Sequence, residues 1–287
     1  MIADLLPDLG RKTYIMGILN LTPDSFSGDG LYQAEQPLAA ALSQARSFLA
    51  GGAHILDLGA ESTRPGAESV SADEELARLL PAVELIHSQL PEALISVDTY
   101  KASVAEACLR AGARIINDIW GLRADPAMAT LAAAADASVV LMHNRRSAPQ
   151  HTEITALGGR YVDLPAGDIV QEVVSGLNAS VEIALAAGIP AGQIILDPGI
   201  GFGKTTEQNL QLLRRLDEIR AIGYPLLLGV SRKSFIGYIL NLPPDERLEG
   251  SLAANAYGIL HGADIVRVHD VSATARLAKM LDAIRQV

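Results

Sequence analysis

The chain has 287 residues, 49% of them apolar and 4% aromatic, and its 33 Asp and Glu against 23 Lys and Arg give a formal net charge of −10 at pH 7. An excess of acidic residues argues against the basic surface of a nucleic-acid-binding protein. The length is typical of an α/β barrel, and the low aromatic content indicates a core of Ala, Val, Ile and Leu. The lone cysteine, Cys108, excludes an intrachain disulfide and indicates a reducing cytoplasm. The sequence shows no signal peptide and no apolar run near ~18 residues, so we expect no membrane contact.

Eight short segments are predominantly apolar on both faces, as strands are when helices cover both faces of a parallel sheet. These predicted strands span residues 14–19, 54–58, 94–97, 114–116, 138–142, 193–196, 225–230 and 264–268. Between them, apolar residues recur at helical spacing, most clearly over residues 38–49, 76–90 and 271–284. The alternation predicts an α/β fold, a single (β/α)8 TIM barrel over residues 1–287. An open, doubly wound sheet is the alternative, although no Gly-x-Gly-x-x-Gly sequence follows the first strand.

Local signals place the ends of several helices. Ser71, with Glu74 three residues later, predicts a capping box at the start of the second long helix. Glycines at positions 52, 112, 188 and 262 predict that a helix ends just before the next strand begins. Pro81 should kink or split the helix that contains it, because proline has no N–H to donate.

Polar residues stand at the carboxyl ends of the predicted strands, which in a barrel face one shared mouth. They are Asn20, Asp57, Asp98, Asn117, His143, Asp197, Lys233 and His269, with Arg267 just inside the last strand. One such residue could be a cap or a loop hydrogen bond, but burying so many without partners is costly. The set therefore predicts a polar ligand pocket at this end of the barrel.

Three loops at the same end have unusual compositions. Asp197 begins the sequence Asp-Pro-Gly-Ile-Gly-Phe-Gly-Lys, which is either a turn with a capping carboxylate or a glycine-rich binding loop. Asn20 begins Asn-Leu-Thr-Pro-Asp-Ser-Phe-Ser-Gly-Asp-Gly, and Glu61 begins Glu-Ser-Thr-Arg-Pro-Gly-Ala. The last two are either solvated loops or mobile lids that bear ligands for an anion.

Together these motifs resemble the dihydropteroate synthase family. Residues 17–27, Gly-Ile-Leu-Asn-Leu-Thr-Pro-Asp-Ser-Phe-Ser, and residues 57–66, Asp-Leu-Gly-Ala-Glu-Ser-Thr-Arg-Pro-Gly, are similar to its two long signatures. Shorter matches begin at Ser96 (Ser-Val-Asp-Thr), Ile115 (Ile-Ile-Asn-Asp-Ile), Leu141 (Leu-Met-His), Asp197, Ser231 (Ser-Arg-Lys-Ser) and Arg267 (Arg-Val-His-Asp). The resemblance covers residues 14–285 and all eight predicted strands.

The resemblance implies a (β/α)8 transferase of folate synthesis, a family targeted by sulfonamides. Such an enzyme joins 6-hydroxymethyl-7,8-dihydropterin diphosphate to 4-aminobenzoate, releases diphosphate and forms 7,8-dihydropteroate. It also implies Mg²⁺ as cofactor, small-molecule substrates as the only ligands and a homodimer as the assembly.

The resemblance further implies roles for individual residues. The pterin pocket would comprise Asp98, Asn117, Ile119, Met142, Asp197, Phe202, Lys233 and Arg267. The diphosphate would contact Thr63, Arg267 and His269, with Asn20 as the Mg²⁺ ligand. The wall around 4-aminobenzoate would comprise Thr63, Arg64, Phe202, Arg232 and Ser234, where a helix is expected to begin. Asp98, Asp197 and Lys233 are expected to act in catalysis.

One stretch departs from the family pattern. After His143 the chain continues as Asn-Arg-Arg-Ser-Ala-Pro into a long segment, residues 144–167, that we expect to be an irregular surface excursion beside the site. Its Arg145 and Arg146 have no predicted role.

Two other functions fit a pterin-binding barrel. One is transfer of a methyl group from a methyl-folate to a corrinoid protein, which needs no diphosphate or aminobenzoate loops. The presence of Asn20 and of Thr63-Arg-Pro argues against it. The other is a non-catalytic paralogue that only binds its ligand, although every residue expected to act is present.

Overall fold

The structure, a computed structural model, describes residues 1–22, 31, 36–62, 69–145, 151–162, 164 and 167–287. Its strands are β1 (Tyr14–Asn20), β2 (Ile55–Gly59), β3 (Leu94–Asp98), β4 (Ile115–Asp118), β5 (Ser138–Met142), β6 (His151–Thr155), β7 (Gly158–Val162), β8 (Ile194–Asp197), β9 (Leu227–Leu228) and β10 (Ile265–Val268). Its helices are α1 (Ile2–Leu5), α2 (Pro37–Ala50), α3 (Ala72–Gln89), α4 (Ala102–Arg110), α5 (Met128–Ala134), α6 (Ile169–Ala186), α7 (Thr206–Arg214), α8 (Leu216–Arg220), α9 (Ser234–Leu240), α10 (Leu248–Leu260) and α11 (Val271–Arg285).

Eight of the strands form one parallel sheet that closes into a barrel. Hydrogen bonds link them in the order β8-β5-β4-β3-β2-β1-β10-β9. A parallel bridge between Leu196 and Leu226 joins the two ends of this order, and Leu196 N donates to Pro225 O at 2.9 Å. The predicted (β/α)8 barrel is therefore confirmed, and the open sheet is excluded.

The barrel interior contains an apolar layer to which each of the eight strands of the parallel sheet contributes. These residues are Met16, Ile55, Leu94, Ile115, Val140, Ile195, Leu227 and Ile265. Ile2 and Leu6, in and just after α1, pack against this layer and cover the amino-terminal end of the barrel. Side chains that alternate with the layer, such as Leu56 and Val139, pack instead under the surrounding helices.

The helix signals in the sequence are mostly confirmed. Ser71 caps α3 by accepting a hydrogen bond from Glu74 N at 3.2 Å. Pro81 does not split its helix, because α3 continues from Ala72 to Gln89. The fixed φ of proline suits a helix, and Leu79 and Val83, two positions before and after Pro81, are fully buried and hold the helix in place.

One predicted strand and one predicted loop need correction. The seventh predicted strand, residues 225–230, is reduced to Leu227–Leu228, because its neighbour β10 pairs with only those two residues. The excursion at residues 144–167 is not irregular throughout. It contains the antiparallel hairpin β6–β7, and Arg145 forms an ion pair with Glu172 of α6 at 2.8 Å.

The fold shows where the apolar helix α6 and the lone cysteine lie. Helix α6 is long and apolar enough to count as a candidate membrane span by length and composition alone. In the fold it packs over β5 and β8, and Val170, Val173 and Leu177 on its inner face are fully buried. Cys108 is buried in α4 as predicted, and burial raises the pKa of its thiol to about 12.

Candidate active site

A second set of inward-facing residues lies above the apolar layer, at the carboxyl end of the barrel. Side chains alternate along a strand, so residues two positions beyond the apolar layer face the same interior. They include Asp57, Asn117, Met142, Asp197 and Arg267. Asp98, at the end of β3, and Asn20, at the end of β1, lie at the same end of the barrel. Asp98 is in register with Asn117, and Asn20 is in register with Gly59 of β2.

Arg267 connects two carboxylates on neighbouring strands. Its Nε donates to Asp57 Oδ2 at 2.6 Å, and its Nη2 donates to Asp98 Oδ2 at 2.6 Å. Asn117 Nδ2 also donates to Asp57 Oδ2, at 3.0 Å. Asp57 is completely buried, so it serves as an internal anchor that orients both Arg267 and Asn117. Burial lowers the pKa of Arg267, but Asp57 and Asp98 outweigh that effect and raise it, so the guanidinium stays charged.

Burial and two neighbouring charged groups act together on the protonation of Asp98. Burial raises the pKa of Asp98 to about 7, with Arg267 opposing the rise and the Asp57 carboxylate adding to it. A carboxyl group with a pKa near neutrality, inside a barrel mouth, is typical of functional sites.

Asp197 is fixed by the glycine-rich turn that follows it. Its Oδ1 accepts a hydrogen bond from Gly199 N at 2.7 Å. Gly199 has φ 67°, and a Cβ there would lie 1.9 Å from His143 O, so no other residue fits. Burial raises the pKa of Asp197, whereas Lys233 and the Gly199 N–H oppose that rise.

Lys204 stabilises the same turn through its buried ammonium group. Its Nζ donates to three main-chain carbonyls, those of Gly199 at 2.8 Å, Phe202 at 3.1 Å and His143 at 3.2 Å. The side chain is almost fully buried, and burial lowers its pKa well below the ordinary lysine value. The contacts therefore tie the turn after β8 to the end of β5.

The loop after β9 brings three further side chains to the mouth. Lys233 Nζ donates to Ile200 O and lies 4.7 Å from the centre of the Phe202 ring. Arg232 Nε and Nη2 donate to the two carboxylate oxygens of Asp270, at 2.9 and 2.6 Å. Ser234 begins α9, as predicted, with Lys233 as its N-cap.

Comparisons with known proteins agree with this geometry. A family model described as "Pterin binding enzyme" matches residues 16–269. The dihydropteroate synthase of Bacillus subtilis is 50% identical over 274 residues, which are 96% of this chain and 89% of that protein. This chain belongs to the dihydropteroate synthase family.

Solved structures of the dihydropteroate synthase family have the same fold. The Clostridium difficile enzyme, solved in the presence of pteroic acid, has a TM-score of 0.86 at 45% identity, over 98% of this chain and 99% of that one. The Yersinia pestis enzyme, solved with a sulfonamide drug, has a TM-score of 0.86 at 38% identity, over 96% of this chain and 95% of that one.

The structure brings together most of the residues that the family resemblance assigns to the site. Asp98, Asn117, Met142, Asp197 and Arg267 lie on the inner face of the barrel. The remaining described members lie at strand ends, in the loops that follow or at the start of α9: Asn20, Ile119, Phe202, Arg232, Lys233, Ser234 and His269. Thr63 and Arg64 lie outside the described residues.

His143 does not face the mouth with the other residues at strand ends. It follows Met142, whose side chain points inward, so its own side chain points outward toward α6. A Cβ on Gly176 of α6 would lie 2.5 Å from His143 Cδ2. Burial lowers the pKa of His143, and its Nδ1 has no hydrogen-bond partner among the described residues. The interpretation of His143 as a mouth residue is therefore wrong.

Sequence reasoning missed a network at the base of the second loop. Lys101 Nζ donates to both Glu61 and Glu75, and Tyr100 OH donates to Glu61 Oε1 at 2.9 Å. Glu61 is thereby fixed where the loop after β2 begins. Only the charges of these residues could have indicated the network, and charges alone do not identify partners.

A cavity of about 1050 Å³ lies at the opposite end of the barrel. Its lining includes Lys12, His54, Lys279 and Asp282, which precede strands or belong to α11. None of the residues assigned to the site lines it, so this cavity is separate from the candidate active site.

Proposed function

We propose that this protein is a dihydropteroate synthase of folate synthesis, a transferase with two small-molecule substrates. It joins 6-hydroxymethyl-7,8-dihydropterin diphosphate to 4-aminobenzoate and releases diphosphate. The observation that supports this most directly is the hydrogen-bonded set of Asp57, Asp98, Asn117 and Arg267 at the carboxyl end of a barrel of this family. An assay of diphosphate release with and without 4-aminobenzoate tests it. Release that requires 4-aminobenzoate supports the synthase, and its absence supports a binding-only protein or a methyltransferase.

We assign the pterin edge to Asp98, Asn117 and Asp197. A pterin presents donors and acceptors in one plane, which carboxylate and amide groups can match. The bond from Asn117 Nδ2 to Asp57 fixes the amide orientation and leaves Oδ1 as the acceptor for a pterin N–H. Lys233, Phe202 and Arg267 would lie along the faces of the ring, and Ile119 and Met142 would line its slot.

Replacing Asn117 with alanine should weaken pterin binding about tenfold, because a buried polar partner of the pterin is lost. Calorimetric titration with 6-hydroxymethyl-dihydropterin measures the effect. Asn178→Ala on the exposed face of α6 is the matched control and should bind normally. Unchanged affinity in Asn117→Ala would remove Asn117 from the pocket.

The chemistry needs charge stabilisation more than a strong base. Breaking the bond between the pterin methylene carbon and the diphosphate oxygen first would leave positive charge on the pterin. Asp98 and Asp197, when ionised, would stabilise that charge. The amine of 4-aminobenzoate is a free nucleophile near neutral pH, so it can attack that carbon and lose its proton afterwards. His269 and Arg267, with Thr63, would hold the departing diphosphate.

We further propose Mg²⁺ as cofactor, with Asn20 as the protein ligand. Mg²⁺ prefers oxygen donors and is commonly held by one or two protein groups together with phosphate oxygens and water. The described residues contain no cluster of three or more His, Cys, Asp or Glu that could form a metal site made only of protein groups. This fits an ion shared with the substrate. When bound, Mg²⁺ would offset the charge of the leaving diphosphate.

Pterin affinity should rise about tenfold between pH 6 and pH 8, because the ionised form of Asp98 accepts hydrogen bonds from the pterin and its pKa is about 7. The stability of the fold changes with pH in the opposite direction to pterin affinity. A raised folded-state pKa adds stability below the unfolded value near ~4, and that contribution is lost as the pH rises through 7. Calorimetry across this range measures the binding effect. Asp98→Asn should give a flat profile, and an equally steep profile in that variant would assign the titration to another group.

The proposed assembly and location follow from surface side chains and from Cys108. Exposed apolar side chains on α10 and α11 include Tyr257, Leu260, Met280 and Ile284, which suit a homodimer interface. Light scattering measures the assembly state. The buried thiol of Cys108 suits a cytoplasmic enzyme, and no nucleic-acid or membrane partner is proposed.

A further inference from the structure

Arg247 is completely buried at the start of α10 and binds main-chain carbonyls from three separate segments. Its Nη1 donates to Arg232 O at 2.9 Å, and its Nη2 donates to Leu157 O at 3.0 Å. Its Nε and Nη2 donate to Leu242 O at 3.0 and 2.9 Å. A guanidinium can make such contacts because it presents five donors in a fixed plane. Arg247 therefore links the loop after β9, the turn of the β6–β7 hairpin and the segment after α9.

The backbone of Arg232 has the left-handed conformation, with φ 56°. This region is costly for a residue other than glycine and persists only where the surroundings hold it. Here both main-chain polar groups of Arg232 are held. Its carbonyl accepts from Arg247, and its N–H donates to Ser251 Oγ at 2.8 Å. Ser251 Oγ in turn donates to Arg247 O at 2.7 Å, so the two residues act as one clamp on Arg232.

The clamp requires a close approach by α9. A Cβ on Gly237 would lie 2.1 Å from Arg247 Nη2, so only glycine lets the helix pass the buried guanidinium. Tyr238, the next residue of α9, donates to Gly158 O at 2.9 Å and holds the hairpin turn beside Leu157. The hairpin, the helix and the loop after β9 are thus built around one side chain.

We propose that Arg247, with Ser251, is a positioning residue for 4-aminobenzoate. The clamp sets the conformation of Arg232, whose side chain is held by Asp270, and Ser234 follows shortly at the start of α9. It also gives the β6–β7 hairpin a role, because the turn of the hairpin at Leu157 binds Arg247. The proposal rests on the assignment of Arg232 and Ser234 to the aminobenzoate wall.

Ser251→Ala tests the clamp with the least disturbance, because it removes one hydroxyl. We expect KM for 4-aminobenzoate to rise about tenfold, while KM for the pterin diphosphate and the melting temperature stay near wild type. Arg247→Lys should raise the same KM further, and Ser175→Ala on the exposed face of α6 is the matched control. If Arg247→Lys does not fold, Ser251→Ala decides. An unchanged KM for 4-aminobenzoate, or an equal rise in both KM values, would overturn the proposal.

A double-mutant cycle separates positioning from general stability. If Ser251 acts through Arg232, then Ser251→Ala should have no further effect on KM for 4-aminobenzoate in an Arg232→Ala background. Effects that multiply in the double variant would show that Ser251 acts independently, and the proposal would fail. The wild-type protein in the same assay reports on the function itself. A wild type without turnover contradicts the proposed synthase, whereas a normal wild type with an unaffected Ser251→Ala contradicts only the clamp.

Discussion

Replacing Lys233 with alanine should reduce turnover by roughly 100- to 1,000-fold while the melting temperature stays close to that of the wild type. Lys233 lies at the mouth, where its Nζ is near Asp197 and over the ring of Phe202. A cation there can orient the pterin and stabilise charge that develops on its carbonyl oxygen. Truncation removes that interaction from the transition state. The effect on folding should be small because the side chain is partly exposed.

Turnover and thermal melting of the same preparation measure the two halves of this prediction. Lys279→Ala on the exposed face of α11 is a suitable control, because it also removes one lysine charge. Lys204 would be a poor control, since its buried ammonium holds three carbonyls of the turn after β8. Near-normal turnover in Lys233→Ala would show that the side chain has a structural role, such as its hydrogen bond to Ile200 O, and none in the reaction.

The barrel and its inward residues could be predicted because both follow from short-range patterns. Apolar strands that end in Asn20, Asp98 and Asp197 mark the carboxyl end, and side-chain alternation then decides which residues face inward. The same rule could have excluded His143, because it follows the inward-facing Met142. The sequence pattern contained that signal, but counting every polar residue at a strand end as a mouth residue overlooked it.

The contacts between strands could not be read from the sequence. Asp57 was placed at the mouth, but its role as the anchor of Asn117 and Arg267 depends on the register of distant strands. Arg247 was missed for a different reason. Its partners are main-chain carbonyls, which every residue carries, so no pattern of side chains points to them. The hairpin that it holds was missed for the same reason.

We expect 4-aminobenzoate to bind measurably only when a pterin, diphosphate and Mg²⁺ are also present. The coupling should be about 1–3 kcal/mol, or roughly 5- to 150-fold in affinity. Asn20 ends β1 beside Gly59 of β2, so an ion held there would contact the starts of the first two loops. Glu61 gives the second loop a fixed base, because Lys101 and Tyr100 hold it. The parts of these loops at residues 23–30 and 63–68 lie outside the described residues, and their turn-rich composition predicts that the bound anion orders them.

Titration of 4-aminobenzoate by calorimetry, with and without the other three components, measures the coupling. Asn20→Ala should abolish the coupling while pterin alone still binds, because Asn20 is assigned to the metal and the pterin edge to other strands. Asn178→Ala is again the matched control.

Equal affinity for 4-aminobenzoate in all conditions would show that its pocket is complete before the diphosphate arrives. The amine could then be in place beside the pterin methylene carbon while the bond to diphosphate is still intact. Direct displacement of diphosphate by the amine would become as consistent with the site as ionisation first. Asp98 and Asp197 would then serve to orient the pterin, because less positive charge would develop on the ring. A strong coupling has the opposite implication, since the second substrate would meet a pterin already held by both carboxylates, with its leaving group neutralised.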